Sequence, residues 1–409
     1  MTDDQFRILT MKTINPVPRD RFRPNVCKTF TTLQNSQDAS PIQSPKPRLA
    51  PAWSPWEFAC ALCLSLAVGS LPASAANLLI REVAKLTAED GAVFDLLGFS
   101  PVLNATADVL AVGAHFRDDR GTQSGALYIF ERDPSGGDHW QQRQKLVPDD
   151  LTADDRFGTV SDIERDTLVS STRPGGVDGT ASGAVYIFHR GDQGSWIQTK
   201  KLISPADEFG DQYGGWVELE GDTLVVGAGW TSGTMLKKGA VYIYDRNAEE
   251  GLDPWGLIKT VEAPDGDRLD EFGRWSSLSG DTLLVSAQGD DDRGVGSGSV
   301  YFFEKNEGGE NNWGFVKKLT APDGAPGDQF GDKVDLSGNV ALIGAPKKDE
   351  QGSNSGAAYL FERHRGGENN WGFVKKLLPL PPSEIKELSP QGRSMSFTAT
   401  KAAAKIGVK

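Results

Sequence analysis

Cysteine is confined to the front of the chain: Cys27, Cys60 and Cys63 are its only three, so no disulfide can form beyond residue 76. Histidine is almost as scarce, with His115, His139, His189 and His364 making the full set. There is no H-E-x-x-H, no G-x-S-x-G, no phosphate-binding glycine loop and no paired cysteine ligands, which removes the usual metalloprotease, serine-hydrolase, nucleotide and zinc signatures. Positive charge is also short, at 43 Lys and Arg against 56 Asp and Glu. Residues 1–76 hold eight basic and five acidic side chains, a net of +3, so the remainder carries −16 of the total −13. A surface of that sign repels phosphate backbones and anionic lipid, and nucleic acid is excluded as a partner. What the chain has in excess is glycine, 47 residues, beside 23 prolines, a composition of many tight turns and hence of strands rather than helices.

Residues 1–50 are polar and rich in Pro and Ser and read as a disordered extension. Residues 51–76 read as a signal peptide or N-terminal anchor. Phe58 to Leu71, FACALCLSLAVGSL, has the length of a secretory h-region, and Pro72 and the small residues Ala73-Ser74-Ala75 place cleavage after Ala75. The run falls short of the ~20 apolar residues that span a bilayer. Membrane contact is therefore expected only if this segment is retained, and the location predicted is secreted or cell surface.

Residues 77–409 are organised by a repeat. Tyr128, Tyr186, Tyr242, Tyr301 and Tyr359 sit in ALYIF, AVYIF, AVYIY, SVYFF and AAYLF, and Trp140, Trp196, Trp255, Trp313 and Trp371 keep step with them. The twelve letters GGENNWGFVKKL occur twice, at 308–319 and 366–377. Ahead of each tyrosine stands a D-x-[FY]-G string, at Asp155, Asp211, Asp270 and Asp328, with a degraded copy at Asp95, and then DVLAVGA, DTLVSST, DTLVVGA, DTLLVSA or NVALIGA. Each unit thus holds four short apolar runs joined by Gly, Asp, Asn or Pro, a four-stranded antiparallel meander. The middle runs are apolar at consecutive positions, so both of their faces must be covered. One unit cannot cover both of its own faces. Sheets stacked face to face around an axis can, and the predicted fold is an all-β propeller of five full blades. Residues 83–88, VAKLTA, match the fourth-strand segment VKKLTA at 316–321, and the tail from Gly392 matches first and second strands faintly. A composite or partial sixth blade built from both ends is therefore expected.

The phased string FG-x-x-V-x-[LI]-x-G-D-T-L-V-V-G-A resembles the FG-GAP repeat family, which also builds the amino-terminal propeller of integrin α chains. The resemblance implies a secreted or surface-displayed propeller used for binding and adhesion. It does not carry calcium with it. The oxygen-rich loop of integrin-like members is reduced here to turns such as Glu220-Gly221-Asp222-Thr223 and Ser279-Gly280-Asp281-Thr282.

The densest acidic cluster, Asp290-Asp291-Asp292, is the one calcium candidate, set against the plainer reading of a solvated loop. Asp95, Asp155, Asp211, Asp270 and Asp328 recur once per unit, so they are distributed around the ring rather than convergent, and read as turn formers. The repeated tryptophans read as packing between blades, and His189, where other units have acids, as surface. Arg190-Gly191-Asp192 and the sequon Asn104-Ala105-Thr106 are short enough to arise by chance. With no cluster of His, Tyr, Arg and acids visible in one stretch, the expectation is an exported, non-catalytic propeller. It needs no cofactor and binds a protein or glycan partner through loops of one rim, where Trp230 stands. The alternatives are a propeller-based polysaccharide lyase or hydrolase, which that missing cluster disfavours, and a structural spacer of a surface assembly.

Overall fold

The computed structural model describes residues 6–12, 79–134, 139–173, 182–205, 212–229, 238–249, 255–367 and 370–379, with 6–12 and 79–83 described as backbone only. The chain divides into two units, residues 7–83 and the remainder. In the first part of the chain β1 (Phe6–Lys12) and β2 (Leu79–Leu86) pair as a two-stranded sheet. The rest of residues 1–50, the whole of 51–76 including Ala75, and the tail from 380 lie outside the described residues, and with them the cleavage site and the tail half of the composite blade. The segment matched to a fourth strand does form one, as part of β2, and its partner among the described residues is β1.

All other described elements are strands, and no helix among the described residues is long and apolar enough to cross a membrane. They form five consecutive meanders. Blade 1 is β3 (Phe99–Leu103), β4 (Val109–Ala114), β5 (Ala126–Arg132) and β6 (Trp140–Leu146); blade 2 is β7 (Ser161–Glu164), β8 (Thr167–Ser171), β9 (Ala184–Arg190) and β10 (Trp196–Ile203). Blade 3 is β11 (Trp216–Glu220), β12 (Thr223–Ala228), β13 (Ala240–Asp245) and β14 (Gly256–Val261), and blade 4 is β15 (Ser276–Ser279), β16 (Thr282–Ala287), β17 (Ser299–Glu304) and β18 (Gly314–Thr320). Blade 5 is β19 (Val334–Ser337), β20 (Val340–Ala345), β21 (Ala357–Glu362) and β22 (Gly372–Leu377). The first strands β3, β7, β11, β15 and β19 touch one another in that order and so line the axis.

The turn between first and second strands is a two-residue hairpin in blades 2 to 5, closed by the pairs Glu164↔Thr167, Glu220↔Thr223, Ser279↔Thr282 and Ser337↔Val340. Gly221, Gly280 and Gly338 take φ near +60° at its first position, the conformation of a II′ turn. Two residues cannot supply the six to eight oxygens calcium takes, so these turns do not fit an integrin-like calcium loop.

Burial follows from the unbroken apolar runs. In blades 1 to 4 every residue of the second strand is buried. One face of each blade packs on the next: Val225, Val241 and Ile243 of blade 3, for example, against Leu283, Val285, Tyr301 and Phe303 of blade 4. Blade 5 differs. Its second strand alternates buried and exposed, and Val340, Leu342 and Leu377 are exposed on a face that carries no blade among the described residues. A run that is apolar on both sides is here covered on one.

The junctions are closed at backbone level. A glycine ahead of each third strand lies against the backbone of the F-G or Y-G turn of the following blade: a Cβ built on Gly183 would stand 2.0 Å from the Tyr213 carbonyl oxygen, and one on Gly239 2.0 Å from that of Phe272. Gly356 occupies the same place in blade 5, but the nearest atom to its Cβ is the Pro346 carbonyl oxygen of its own blade, at 3.3 Å. Both glycines have positive φ, so both carry the ~1–2 kcal/mol cost of an L residue in that region. Only Gly239→Ala also forces blades 3 and 4 apart. It is expected to lower stability by more than ~3 kcal/mol, and Gly356→Ala by ~1–2 kcal/mol, in paired denaturant titrations. Equal losses would show that the close approach at Phe272 does not hold the seam.

Candidate functional site

Three groups of polar side chains stand out along the rim where second strands end and first strands begin. The first belongs to the recurring aspartates. Asp95, Asp155, Asp270 and Asp328 accept a hydrogen bond from the backbone N–H three residues earlier, of Ala92, Thr152, Asp267 and Ala325, at 2.6–2.8 Å. They are turn formers, as their distribution implies; Asp211 lies outside the described residues. In blades 1 and 5 the basic residue three places beyond the second strand joins them: Arg117 reaches Asp95 at 2.7 Å and Lys348 reaches Asp328 at 2.9 Å. In blade 4 that place is taken by Asp290. Asp270 therefore has an acid for a neighbour, and burial together with Asp290 raises its proton affinity.

The second group is a clasp between blades that the sequence reading missed. An aspartate leaving one blade accepts from the tyrosine of the next blade's third strand and from the lysine of its fourth. The sets are Asp90–Tyr128–Lys145, Asp150–Tyr186–Lys201, Asp265–Tyr301–Lys318 and Asp323–Tyr359–Lys376, with Lys Nζ to carboxylate distances of 2.6–2.8 Å. Burial, which by itself would raise Asp323, is outweighed by Lys376 and Tyr359, and its pKa is held down to about 2. Burial and the Lys201 and Asp150 contacts leave the Tyr186 phenol pushed up to about 12.

The calcium candidates belong to the third of these clasps. Lys318 Nζ lies 2.8 Å from Asp290 and 2.7 Å from Asp292 as well as 2.8 Å from Asp265, and Asp290 also accepts from the Tyr301 and Ser299 hydroxyls at 3.0 and 2.9 Å. Asp291 turns away and accepts from the Gly296 N–H at 2.7 Å. The ammonium group thus occupies the centre of the carboxylates, and among the described residues no group of three or more His, Cys, Asp and Glu is placed to hold a metal.

The third group lies at the axis. Arg156 precedes the Phe157-Gly158 turn, Arg274 follows Phe272-Gly273, and Arg173 follows β8, its N–H bonded to the Asp155 carbonyl at 2.9 Å. Arg156 is held by Gln123 Oε1 at 3.0 Å and lies over the Phe116 ring at 5.2 Å; Arg274 pairs with Glu271, which also accepts from Gln288 at 2.7 Å. Around them Trp216 and Trp275 meet edge to face at 4.6 Å, with Lys333 Nζ over the Trp275 ring. His115 is wedged between Phe99 and Phe116, at 4.1 and 4.2 Å, and is 7% exposed. Burial, then Arg156 and Arg173, lower its pKa to about 4. Burial, Arg274 and Arg156 likewise lower the proton affinity of Arg173. The sequence reading found no such concentration because these residues are scattered from His115 to Lys333 and adopt no common spacing; only their shared place beside each F-G turn and second-strand end could have shown it.

Several buried polar atoms in this ring have no hydrogen-bond partner: His115 Nδ1, Ser171 Oγ, Gln212 Oε1, Trp275 Nε1 and Gln288 Oε1. Such atoms are not confined to the ring, since the Trp196, Trp313 and Trp371 Nε1 atoms in the blade seams are also without one.

The remaining candidates are placed elsewhere. Arg190 of Arg190-Gly191-Asp192 is tied to Glu131 of the preceding blade. Asn104 and Thr106 are spent on the turn at Asp108. His189 is exposed, and Trp196, Trp255, Trp313 and Trp371 are buried, Trp371 stacked at 4.4 Å on Phe302 of the blade before it. Trp230 lies outside the described residues.

A family model described as FG-GAP repeat matches residues 80–130, 140–188, 196–244, 255–303 and 313–361. No curated protein matches the chain. Among solved structures, Sqt1 of Saccharomyces cerevisiae aligns at a TM-score of 0.37 and 10% identity, over 73% of this chain and 77% of that one. Chaetomium thermophilum Sqt1, bound to the N-terminus of ribosomal protein L10, aligns at 0.41 and 15%, over 68% and 63%. The periplasmic gluconolactonase PpgL of Pseudomonas aeruginosa aligns at 0.37 and 14%, over 74% and 90%.

Two outcomes follow from this geometry. Lys318→Met strands the buried Asp290 and is expected to cost ~3 kcal/mol, against under ~1 kcal/mol for Lys201→Met, whose Asp150 is half exposed. Calorimetric melting checks this, and equal costs would refute the distinction. For His115, an unfolded imidazole titrates near 6.5 and the folded one near 4, so only the unfolded chain gains the proton in between. Stability is then lost as pH falls from about 6.5 to about 4, on the order of 3 kcal/mol across the window. Denaturant titrations at stepped pH are expected to show a shallower slope for His115→Gln than for the parent.

Proposed function

This chain belongs to the FG-GAP repeat family, and from that premise we propose that it is an exported, non-catalytic β-propeller holding a protein or glycan partner outside the cell or at its surface. The observation that carries the reading is the axial ring. The sheets are consumed in packing on one another, whereas this rim keeps partly buried arginines beside buried polar atoms that the chain leaves without partners. Loops on a rigid scaffold are the usual place for recognition. Export is supported by the apolar run Phe58–Leu71 with its small residues up to Ala75. No cofactor enters the reading. The centre where calcium would sit among Asp265, Asp290 and Asp292 is filled by the Lys318 ammonium.

The rival is a lyase or hydrolase, and one observation favours it: a neutral imidazole beside arginines is a constellation suited to removing a proton next to a carboxylate. Against it, His115 is enclosed by two aromatic rings, and a general base must reach the proton it takes. The purified exported protein, incubated with neutral and uronate polysaccharides, is expected to retain a ligand without new reducing ends or unsaturated products. Turnover would overturn the binding-only reading.

A further inference from the structure

We propose that the bare face of blade 5 is covered by this chain's own residues 392–409, docked as a first and a second strand. The Asp335 carboxylate and the Ser337 hydroxyl then accept hydrogen bonds from the backbone N–H groups of Phe397 and Ala399. The inference goes beyond the binding reading above and does not rest on it.

The face is apolar because blade 5 repeats the pattern of the blades before it. Leu342, Leu360 and Leu377 stand where blade 4 has Leu284, Phe302 and Leu319. Those three pack on blade 5, and Leu284 is 0% and Leu319 9% exposed. In blade 5 Leu342 is 37% and Leu377 41% exposed, with Leu360 half-buried on the strand between them. A run that is apolar on both sides calls for cover on both.

The axial edge of the same face carries a second, polar device. At every junction between the five blades a side chain on one first strand accepts from a backbone N–H of the next. Ser100 accepts from Ser161 at 3.2 Å, Asp162 from Leu219 at 2.8 Å, Glu220 from Gly280 at 3.0 Å, Ser277 from Leu336 at 3.1 Å and Ser279 from Gly338 at 2.9 Å. The last four acceptors stand four or six residues beyond the turn glycine of their blade, and their donors five or seven beyond that of the next. Asp335 and Ser337 hold the acceptor places in blade 5. Both are exposed, and among the described residues neither accepts a hydrogen bond. One more first strand, with its N–H groups at the same two positions, completes the series.

The tail supplies that strand. Counted from Gly392 as the turn glycine, Met395 and Phe397 fall where blade 5 has Val334 and Leu336, and Ala402, Ala403 and Ala404 where its second strand has Ala341, Leu342 and Ile343. The donors five and seven residues on are Phe397 and Ala399. The link is long enough, with 15 positions from Leu377 to Gly392 against 12 from Leu319 to Gly331. At the aromatic place of the turn the tail has Gln391. In the complete blades that aromatic packs on the tyrosine of its own third strand, as Phe330 does on Tyr359, and a segment with only first and second strands has no such tyrosine to meet. Charge agrees as well. Residues 392–409 hold Arg393, Lys401, Lys405 and Lys409 and no acid, a net of +4, so residues 77–391 carry −20. A second copy of the propeller, as acidic as the first, lacks this attraction.

The test labels the full chain with hydroxyl radicals and reads the products by mass spectrometry. In a chain that runs as a monomer, Leu342 and Leu377 are expected to label as slowly as the buried Leu319; labelling as fast as that of Leu257, 41% exposed, overturns the proposal. Shielding that appears only at concentrations where the chain dimerises gives the face to a second copy and overturns the tail. Ending the chain at Gln391 should raise the labelling of both leucines several-fold, and a peptide of residues 392–409 added to the shortened chain should restore the slow rate saturably. No rise, or no recovery, overturns the assignment. If the shortened chain fails to fold, Phe397→Asp in the full chain replaces it, and should expose both leucines while Leu284 stays protected; unchanged shielding overturns the docking. Asp335→Ala should raise the peptide concentration for half-protection about tenfold, as the loss of one charged hydrogen bond predicts. Glu310→Ala, exposed on the outer hairpin of blade 4, should leave it unchanged. Asp335→Ala without effect, or a Phe397→Asp peptide that protects as well as its parent, overturns the register.

Discussion

Close approach of backbone to backbone between successive sheets is the constraint from which the architecture follows. Apolar pressure brings two faces together, but it does not choose how far one sheet slides over the next. The glycine ahead of each third strand does, because Gly183 and Gly239 leave room for the Tyr213 and Phe272 carbonyls where any side chain would collide. The aromatic ring of the same turn then packs edge to face on the conserved-in-register tyrosine, as Phe272 does on Tyr301 at 5.4 Å and Phe330 on Tyr359 at 5.4 Å. One turn thus sets both the spacing and the rotation of the blade that follows, and repetition of that step brings the first strands to a common axis.

The clasps add polar registration to this apolar seam. Their energetics explain a correlated loss in the sequence. At the junction between blades 2 and 3, Ala206 stands where the other junctions have aspartate, and Thr260 stands where they have lysine. Removing one member alone would leave a desolvated charge, which is costly, whereas removing both together is close to neutral. The tyrosine remains, and Tyr242 packs on Tyr213 in that seam. Blade 4 shows the opposite change: a basic residue is replaced by Asp290, and one lysine, Lys318, answers three carboxylates. The acidic triplet that suggests a metal from its letters alone is thereby part of the scaffold.

Much of this was legible because a repeat multiplies weak evidence. The five tyrosines, the five tryptophans and the phased D-x-[FY]-G strings mark strand order and strand count, and the sheets are the meanders they imply. Three things were not legible. The bare face of blade 5 was hidden because Val340 and Leu342 spell the same apolar run as their buried counterparts; exposure depends on a neighbour, which a local pattern does not encode. The clasps were hidden because each aspartate lies 36 to 55 residues from its tyrosine and lysine, although Asp and Lys recur at the right places in four junctions out of five. The axial arginines were hidden for a different reason: they are not periodic at all.

That lack of period bears on function. Positions that serve the fold recur in this chain once per blade, since each seam poses the same problem and is solved by the same residues. A group that recognises something at the axis has no cause to recur, because the axis is shared and each blade faces it from its own direction. Ser100, Val160, Trp216, Trp275 and Lys333 occupy one equivalent place, two residues beyond the turn glycine, and no two neighbouring blades agree there except the tryptophan pair. In the binding reading proposed above, departure from the repeat, concentrated where the first strands begin, separates the recognition surface from the residues that hold the ring. The arginines and the enclosed imidazole fall on the departing side.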